Sequence, residues 1–265
     1  MRHTLVPRKR LGQHFLTDDN IARKIAASLH LQTNDAVIEI GAGEGALTRH
    51  LIGLAGIIYA IEVDPRAAVV LNNKFDGKIV ILRDDALKVS YETLATDSGA
   101  QLRIVGNIPY NITTPLLFRM FQSWSAVRDV TFMMQREVAR RLIAPTRTKD
   151  YGILAVATQF YSVPKILFDV SRECFYPVPA VTSSVVHLDF TAAKTYTVDV
   201  SLFHKVLRAS FGKRRKILLN SLKDIIPEPL QLHAISAAFD TSRRPEELTV
   251  ADFVALTNII AECVH

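Results

Sequence analysis

The sequence predicts an α/β protein in which a Rossmann-like domain with a mostly parallel sheet precedes a small all-helical C-terminal domain. Up to about residue 143, short apolar segments alternate with segments of helical spacing, which is typical of βαβ units. One apolar segment runs directly into GAGEG at 41–45. From Ser201 onward, apolar residues recur three and four apart, which indicates helices only.

Each strand and helix predicted up to residue 143 is inferred from the spacing of its apolar residues. Runs of aliphatic and β-branched residues predict strands, and apolar residues spaced three and four apart predict helices. The predicted strands are Ala36–Ile40, Ile57–Val63, Lys78–Leu82, Leu102–Val105 and Val127–Met134, and the predicted helices are Ile21–Leu31, Ala46–Leu54, Ala67–Asn73, Pro115–Phe121 and Glu137–Ile143. Ligands of such sheets bind beyond the carboxyl ends of the strands. We therefore expect the segments that follow these strands to meet in one crevice.

The pattern changes after Lys149. A helix and two strands are predicted next, over Gly152–Tyr161, Lys165–Val170 and Ser183–Phe190. Two prolines in Phe175–Val181 predict that this segment has no regular structure. Thr191–Val200 is polar and predicts a linker, which divides a domain of residues 1–190 from a helical domain of residues 201–265.

The net charge, the cysteines and the lengths of the apolar runs indicate which kinds of partner and site to expect. The formal net charge is +6 and the isoelectric point is about 9.4, which favours an anionic partner such as a nucleic acid. Two distant cysteines, Cys174 and Cys263, indicate neither a disulfide framework nor a zinc site. No apolar run reaches 18 residues, and the basic N-terminus is not followed by an apolar core. We expect a cytoplasmic monomer with no metal and no membrane association.

The glycine-rich turn predicts a cofactor loop. Gly41, Gly43 and Gly45 let the backbone bend tightly and let a ligand approach closely. Glu62 follows Gly41 by 21 residues and ends the second strand, where it can accept hydrogen bonds from ribose hydroxyls. With Ala46, the loop also satisfies the dinucleotide pattern. A nicotinamide dehydrogenase and a tight turn without a ligand thus stay open as alternatives. Glu44 would repel a pyrophosphate, whereas the cationic S-adenosylmethionine (SAM) tolerates a carboxylate, which favours SAM.

Asp85 and Ala86 follow the third strand. The carboxylate can accept a hydrogen bond from an adenine amino group, and the small neighbour leaves room for the ring. The alternative is an aspartate hydrated in a loop.

The segment Asn107-Ile108-Pro109-Tyr110 follows the fourth strand and is predicted to be catalytic. The Asn107 side-chain oxygen and the Ile108 carbonyl can accept from the two N–H groups of an exocyclic amine, which localises its lone pair. Pro109 favours an extended Ile108, and Tyr110 offers a face for stacking. This is positioning combined with electrostatic preorganisation, suited to in-line methyl transfer.

Nearly the whole chain resembles the ribosomal RNA adenine N6-dimethyltransferases, and the small-subunit enzyme in particular. Five segments carry the resemblance: Arg10–Leu16 is similar to R-F-G-Q-N-F-L, Gly106–Thr113 to GNLPYNIS, Phe175–Ser183 to F-x-P-x-P-x-V-x-S, Phe211–Leu222 to F-x-x-R-R-K-x-x-x-N-x-L, and Arg244–Leu248 to R-P-E-x-L. The resemblance implies a SAM-dependent methyltransferase domain.

The resemblance also implies roles for individual residues. Phe175 is implied to sandwich the target adenine with Tyr110. The expected cofactor-binding residues, from the loop, the strand ends and the resemblance together, are Gln13, His14, Leu16, Gly41, Gly43, Gly45, Glu62, Asp85, Ala86 and Asn107. The chain departs from the family pattern at His14 (usually Asn), Glu44 (usually apolar), Ala180 (usually Lys) and Leu219 (commonly Arg).

Basic runs are the predicted RNA contacts. Phosphate contacts by such side chains give affinity that depends on salt rather than sequence. The predicted residues are Arg8, Lys9, Arg10, Lys213, Arg214, Arg215 and Lys216. The alternative is a solvated helix face.

The resemblance implies SAM-dependent N6,N6-dimethylation of two adjacent adenines in small-subunit (16S) ribosomal RNA during ribosome biogenesis, with ribosomal RNA or a small-subunit precursor as partner. Three alternatives stay open: the large-subunit adenine methyltransferase of the macrolide-resistance type, a non-catalytic assembly or RNA-binding factor, and a nicotinamide oxidoreductase.

Overall fold

The computed structural model describes residues 5–212 and 216–264. The chain forms two compact units, one up to Ala139 together with Ser162–Ala192, and the other Arg140–Tyr161 together with the chain from Ala193. Residues 140–161 thus group with the C-terminal helices, whereas the sequence-based division assigned them to the first domain.

The strands of the first unit follow the predicted alternation with helices. In chain order they are β1 (Phe15–Leu16), β2 (Ala36–Ile40), β3 (Ile57–Ile61), β4 (Val80–Leu82), β5 (Leu102–Asn107), β6 (Val127–Gln135), β7 (Val163–Val170), β8 (Phe175–Tyr176) and β9 (Ser183–Asp189). Within the described residues, seven of them form one sheet in the order β4-β3-β2-β5-β6-β9-β7, and β1 pairs with β8. Strands β2 to β6 pair with one another in parallel, and β9 is antiparallel to β6 and β7.

The sheet is built from strands that are covered on both faces. All five residues of β2 are buried, as expected for a parallel strand between two helical layers. From β2 the chain adds β3 and β4 on one side and then β5 and β6 on the other. A ligand crevice is expected where this order reverses, at the carboxyl ends of β2 and β5. The predicted Rossmann-like fold is confirmed.

Several helices begin after residues whose side chains cap them. The Asp18 carboxylate accepts hydrogen bonds from the backbone N–H groups of Asn20 and Ile21, and Asp64 accepts one from Arg66, as N-cap residues do. The helices are α1 (Asp19–Ser28), α2 (Thr48–Leu51), α3 (Pro65–Phe75), α4 (Tyr91–Ser98), α5 (Thr113–Gln122), α6 (Arg136–Leu142), α7 (Ile153–Tyr161), α8 (Val200–Gly212), α9 (Leu218–Leu222), α10 (Pro229–Ala238) and α11 (Val250–Val264), with 3-10 turns at Lys9–Leu11, Arg172–Cys174 and Pro245–Glu247.

Two local predictions are wrong. The helix predicted over Ala46–Leu54 is limited to Thr48–Leu51, because Ile52 has an extended backbone and the chain then turns through a left-handed Gly53. Phe175–Tyr176 forms strand β8, although no regular structure was expected there. Its prolines begin at 177, so both residues keep the N–H groups that a ladder needs.

The second unit has its own helical core. Phe203, Phe253 and Leu256 are fully buried, and the Tyr151 hydroxyl donates a 2.6 Å hydrogen bond to the Leu248 carbonyl. No helix in the described part of the chain has the length and apolar character needed to span a membrane.

Candidate active site

A cavity of about 660 Å³ lies at the carboxyl ends of the parallel strands, where the order of the sheet reverses. This volume is in the range of sites for small molecules. The structure brings all the residues predicted to bind a cofactor to its wall: Gln13, His14, Leu16, Gly41, Gly43, Gly45, Glu62, Asp85, Ala86 and Asn107. Ile108, Pro109 and Tyr110 line the same cavity.

The loop after β2 requires glycine at two positions. Gly43 and Gly45 both have positive φ, of 56° and 81°, a conformation that side chains disfavour. A Cβ at Gly45 would also overlap the Phe75 ring, and one at Gly43 would lie 3.2 Å from the Phe15 ring. The backbone of the loop therefore forms the cavity floor without side chains in the way.

Glu62 directly follows β3 and holds the glycine loop in place by a hydrogen bond. One carboxylate oxygen accepts a 2.8 Å hydrogen bond from the Gly43 N–H and the other accepts one of 2.8 Å from the Asp64 N–H. Burial raises the pKa of Glu62. Each oxygen retains a further lone pair, so Glu62 can bind a hydroxyl while it holds the loop.

Glu39 is a second buried carboxyl on the cavity wall that the sequence analysis did not single out. It is 3% exposed within β2, and its Oε2 has no hydrogen-bond partner among the described residues. Burial, with a smaller contribution from the Glu62 charge, raises the pKa of Glu39 to about 8. The signal in the sequence was a single acid inside an apolar strand. A cationic group in the cavity would favour its ionised form.

The N-terminal arm, residues 5–16, lies against the cavity at several points. Glu44 Oε1 accepts a 2.6 Å hydrogen bond from the Leu5 N–H. Gln13 Nε2 donates to Asp64 Oδ2 at 3.2 Å, and the Arg8 guanidinium lies 3.6 Å from Asp64 Oδ1. The Arg66 guanidinium, which donates to Asp64, lowers the pKa of Asp64 to about 2. Asp64 thus remains charged and holds the arm over the end of β3.

Asp85 and Ala86 occupy the turn after β4. Asp85 Oδ1 accepts a 3.0 Å hydrogen bond from the Leu87 N–H, and the Ala86 carbonyl accepts one of 2.8 Å from the buried Tyr91 hydroxyl. These bonds fix the turn, so that a carboxylate and a small side chain both face the cavity.

Asn107 is held by the N-terminal arm. Its Nδ2 donates a 2.8 Å hydrogen bond to the His14 carbonyl, which leaves Oδ1 as the acceptor end of the amide. The Ile108 N–H donates to the Met133 carbonyl of β6 at 3.0 Å, and the Pro109 carbonyl accepts from the Ile112 N–H. The segment that follows β5 is therefore fixed on both sides of Ile108.

Tyr110 is positioned by two contacts. Its hydroxyl lies 2.9 Å from Ser183 Oγ, and its ring stacks with the His14 imidazole at a centroid distance of 5.6 Å and an interplanar angle of 25°. His14 Nδ1 also donates to the Pro177 carbonyl at 2.7 Å. Burial raises the pKa of Tyr110, which keeps the hydroxyl protonated. The His14–Tyr110 contact had no signal in the sequence.

Phe175 lies in the hydrophobic core and does not line the cavity. It is 3% exposed and packs in a core cluster with Leu16, Met133 and Val185. It pairs with Leu16 across the β1–β8 ladder and is not among the described residues that line the cavity. Its role beside the target base stays a prediction.

The predicted RNA-contacting residues are found in two places. Lys9 and Arg10 are exposed in the arm, whereas Arg8 is partly engaged by Asp64. Lys216 is exposed in the second unit; Lys213, Arg214 and Arg215 lie outside the described residues. Across the described parts of the chain, no group of three or more His, Cys, Asp or Glu residues could hold a metal ion.

Comparison with known proteins places this geometry among RNA-modifying proteins. The family model described as ribosomal RNA adenine dimethylase matches residues 5–262. The ribosomal RNA small subunit methyltransferase A of Aromatoleum aromaticum is 43% identical over 256 residues, covering 96% of this chain and 94% of that protein. The protein of the same name from Methylococcus capsulatus is 42% identical over 259 residues, covering 97% of this chain and 98% of that protein.

Two solved structures share the fold. A dimethyladenosine transferase from Plasmodium falciparum superposes with a TM-score of 0.80 at 22% identity, covering 95% of this chain and 98% of that one. The 23S rRNA methyltransferase ErmE superposes with a TM-score of 0.68 at 24% identity, covering 93% and 99%.

Proposed function

Because this chain belongs to the ribosomal RNA adenine dimethylase family, we propose that it transfers methyl groups from SAM to N6 of two adjacent adenines in small-subunit ribosomal RNA. The observation that carries the proposal is the orientation of Asn107. The His14 carbonyl accepts a hydrogen bond from Asn107 Nδ2. Asn107 Oδ1 is therefore the end of the amide that is available to an amine in the cavity.

The cavity residues fit the proposed cofactor. Glu39 and Glu62 supply carboxyl groups to the cavity wall, which would suit a ligand such as SAM that carries ammonium and sulfonium charges. Glu39 Oε2, which has no hydrogen-bond partner among the described residues, would be a ready acceptor. The glycines at 43 and 45 let the loop pack against the Phe15 and Phe75 rings, which also line the cavity. Asp85 and Ala86 would hold the adenine of the cofactor. When bound, SAM supplies an electrophilic methyl group.

The chain's own groups would prepare the target amine. Asn107 Oδ1 and the Ile108 carbonyl would accept hydrogen bonds from the two N6–H groups, which draws the lone pair out of the ring and toward the methyl group. The Tyr110 ring supports the base by stacking, which contributes about 1–3 kcal/mol per base and helps to hold an extruded nucleotide. Neither oxygen is basic enough to take up the proton that N6 loses, so we expect it to pass to solvent.

The exposed Lys9, Arg10 and Lys216 support phosphate contacts. We infer the same role for Arg8, Lys213, Arg214 and Arg215. With a small-subunit precursor as substrate, the protein would act in the cytoplasm, and we expect it to act as a monomer.

The test is incubation of the full chain with labelled SAM and either small or large ribosomal subunits that lack the modification, followed by nucleoside analysis. We expect N6,N6-dimethyladenosine at two adjacent positions of the small-subunit RNA. Label in the large subunit alone would favour the macrolide-resistance activity. Binding to the small subunit without any label, or binding of NADH in place of SAM, would overturn the proposal.

A further inference from the structure

The loop that follows Phe175 exposes a continuous uncharged surface. Tyr176, Val178 and Val181 are 49%, 57% and 43% exposed, and Pro177 and Ala180 between them are exposed as well. We call residues 176–181 the apolar loop. Three large apolar side chains exposed within six residues indicate a surface that binds a partner.

The pairing of β8 with β1 places Tyr176 next to the cavity wall. Tyr176 pairs with Phe15, and Phe175 pairs with Leu16. Directly opposed residues of a ladder point to the same face, and neighbouring residues point to opposite faces. Phe175 and Leu16 are both buried in the core, so Tyr176 shares the other face with Phe15. Phe15 and Leu16, the partners of β8 in this ladder, both line the cavity, and Tyr176 therefore lies at its edge.

The apolar loop is held in place by its anchors. Pro177 and Pro179 restrict the backbone, and Pro179 is buried. His14 Nδ1 donates a 2.7 Å hydrogen bond to the Pro177 carbonyl, and the Thr182 carbonyl accepts a 3.0 Å bond from the Arg136 N–H. Exposed side chains on a restrained backbone lose little conformational freedom when they bind, which favours association.

Basic side chains beside the apolar loop are suited to contacts with RNA. Arg136 and Arg172 have side chains that are half exposed at its two ends. Their partners, Asp169 and Glu173, form surface ion pairs, which are weak and can be exchanged for phosphate contacts. An aromatic ring next to arginines is the combination by which proteins hold unstacked bases.

We propose that Tyr176, with Val178 beside it, stacks on a nucleobase that flanks the target adenine in the RNA. The ring thereby occupies a stacking position that the extruded target has left. This inference rests on the proposed function. It assigns to the apolar loop a ligand of defined chemistry, an unpaired base of the substrate RNA.

The chain offers a matched control for this proposal. Trp124 is an aromatic residue of the same unit with similar exposure, 51%. It lies in the turn before β6, at the opposite end of the strands from the cavity. An effect of general surface hydrophobicity would appear at both positions, and an effect of base stacking only at Tyr176.

The experiment compares Tyr176→Ala, Tyr176→Phe, Tyr176→Trp and Trp124→Ala in the full chain. For each variant, kcat/KM for small ribosomal subunits and the Kd for SAM by calorimetry are measured. We expect Tyr176→Ala to lower kcat/KM about tenfold with an unchanged Kd for SAM. The other three variants should stay within about twofold of wild type. Equal rates for Tyr176→Ala and wild type, or equal losses for Tyr176→Ala and Trp124→Ala, would overturn the proposal.

A photo-crosslinking amino acid at position 176 identifies the partner independently of turnover. We expect an adduct with ribosomal RNA within a few nucleotides of the methylated adenines, and none from position 124. An adduct with a ribosomal protein instead would refute the proposal. If the protein with the crosslinker at position 176 forms the RNA adduct but wild type transfers no methyl group, the proposed function fails; methylation by wild type without an RNA adduct from position 176 overturns only this inference.

Discussion

The side-chain amide of Asn107 donates a 2.8 Å hydrogen bond to the main-chain carbonyl of His14. A residue of the N-terminal arm thereby fixes which end of this amide is available as an acceptor. The same residue stacks its ring on Tyr110. The arm is thus part of the candidate site, since it orients two of the side chains expected to hold the target base.

Replacing Asn107 tests the acceptor role. Asn107→Ala removes the oxygen expected to bind N6, and we predict that kcat falls by about 10²–10³-fold, the range for losing one preorganised polar group. KM for the RNA should change much less. Asn111→Ala is the control, because Asn111 is an exposed asparagine four residues further along. An Asn107→Ala enzyme with near-normal kcat would contradict this role.

Substitutions of His14 separate its ring from its N–H group. His14→Phe keeps a ring against Tyr110 and loses the hydrogen bond to the Pro177 carbonyl. His14→Asn, the residue usual in the resembling family, keeps an N–H donor and loses the ring. Because an aromatic pair contributes about 0.5–1.5 kcal/mol, we predict that His14→Ala lowers kcat/KM for RNA by roughly two- to tenfold. Steady-state kinetics at varied RNA concentration measure this, and an unchanged kcat/KM would show that the His14 side chain does not position Tyr110 for catalysis.

The buried Glu39 carboxyl should make the stability of the ligand-free protein depend on pH. Burial raises its pKa from an ordinary 4.5 to about 8, so folding favours the protonated carboxyl. Its contribution is fully present below pH 4.5 and is lost as the pH rises through about 8. We predict that the free energy of unfolding of wild type falls by about 2 kcal/mol more than that of Glu39→Gln between pH 6 and 9. Urea unfolding at both pH values checks this; parallel pH profiles of the two proteins would show that Glu39 is not the titrating group.

Strands, and the loops that follow them, could be predicted from the sequence because neighbouring residues define them. Apolar runs such as Ala36–Ile40 identified the strands, and parallel topology then brought the loops after β2, β4 and β5 to one cavity. Contacts that depend on distant segments were not predictable. Phe15 and Tyr176 are 161 residues apart and pair over two residues only, and the contact of His14 with Tyr110 follows from that pairing.

A buried ion-pair network at the amino ends of the strands is a second feature that the sequence did not reveal. Arg103 of β5 donates to Asp129 Oδ2 at 2.9 Å and to Asp35 Oδ2 at 2.8 Å, and all three residues are buried. An arginine within an apolar strand has no local pattern that identifies its partners.

Removal of Arg103 would leave Asp129 without its hydrogen-bonded cation and Asp35 with the half-exposed Arg128 guanidinium, 3.7 Å away. We predict that Arg103→Ala lowers the free energy of unfolding by about 3–5 kcal/mol. Arg23→Ala, which removes the exposed Arg23–Asp19 pair, should cost less than about 1 kcal/mol. Chemical denaturation of both variants gives the comparison, and similar losses would indicate that the network contributes no more than a surface pair.

The central claim is that two oxygens hold the target amine in line with the methyl donor. A crystal structure of the full chain with S-adenosylhomocysteine and adenosine tests it most directly. The account predicts Asn107 Oδ1 and the Ile108 carbonyl oxygen within hydrogen-bond distance of N6, and the cofactor sulfur on the side of the glycine loop. An Ile108 carbonyl that points away from the base, or a cofactor bound outside this cavity, would contradict it.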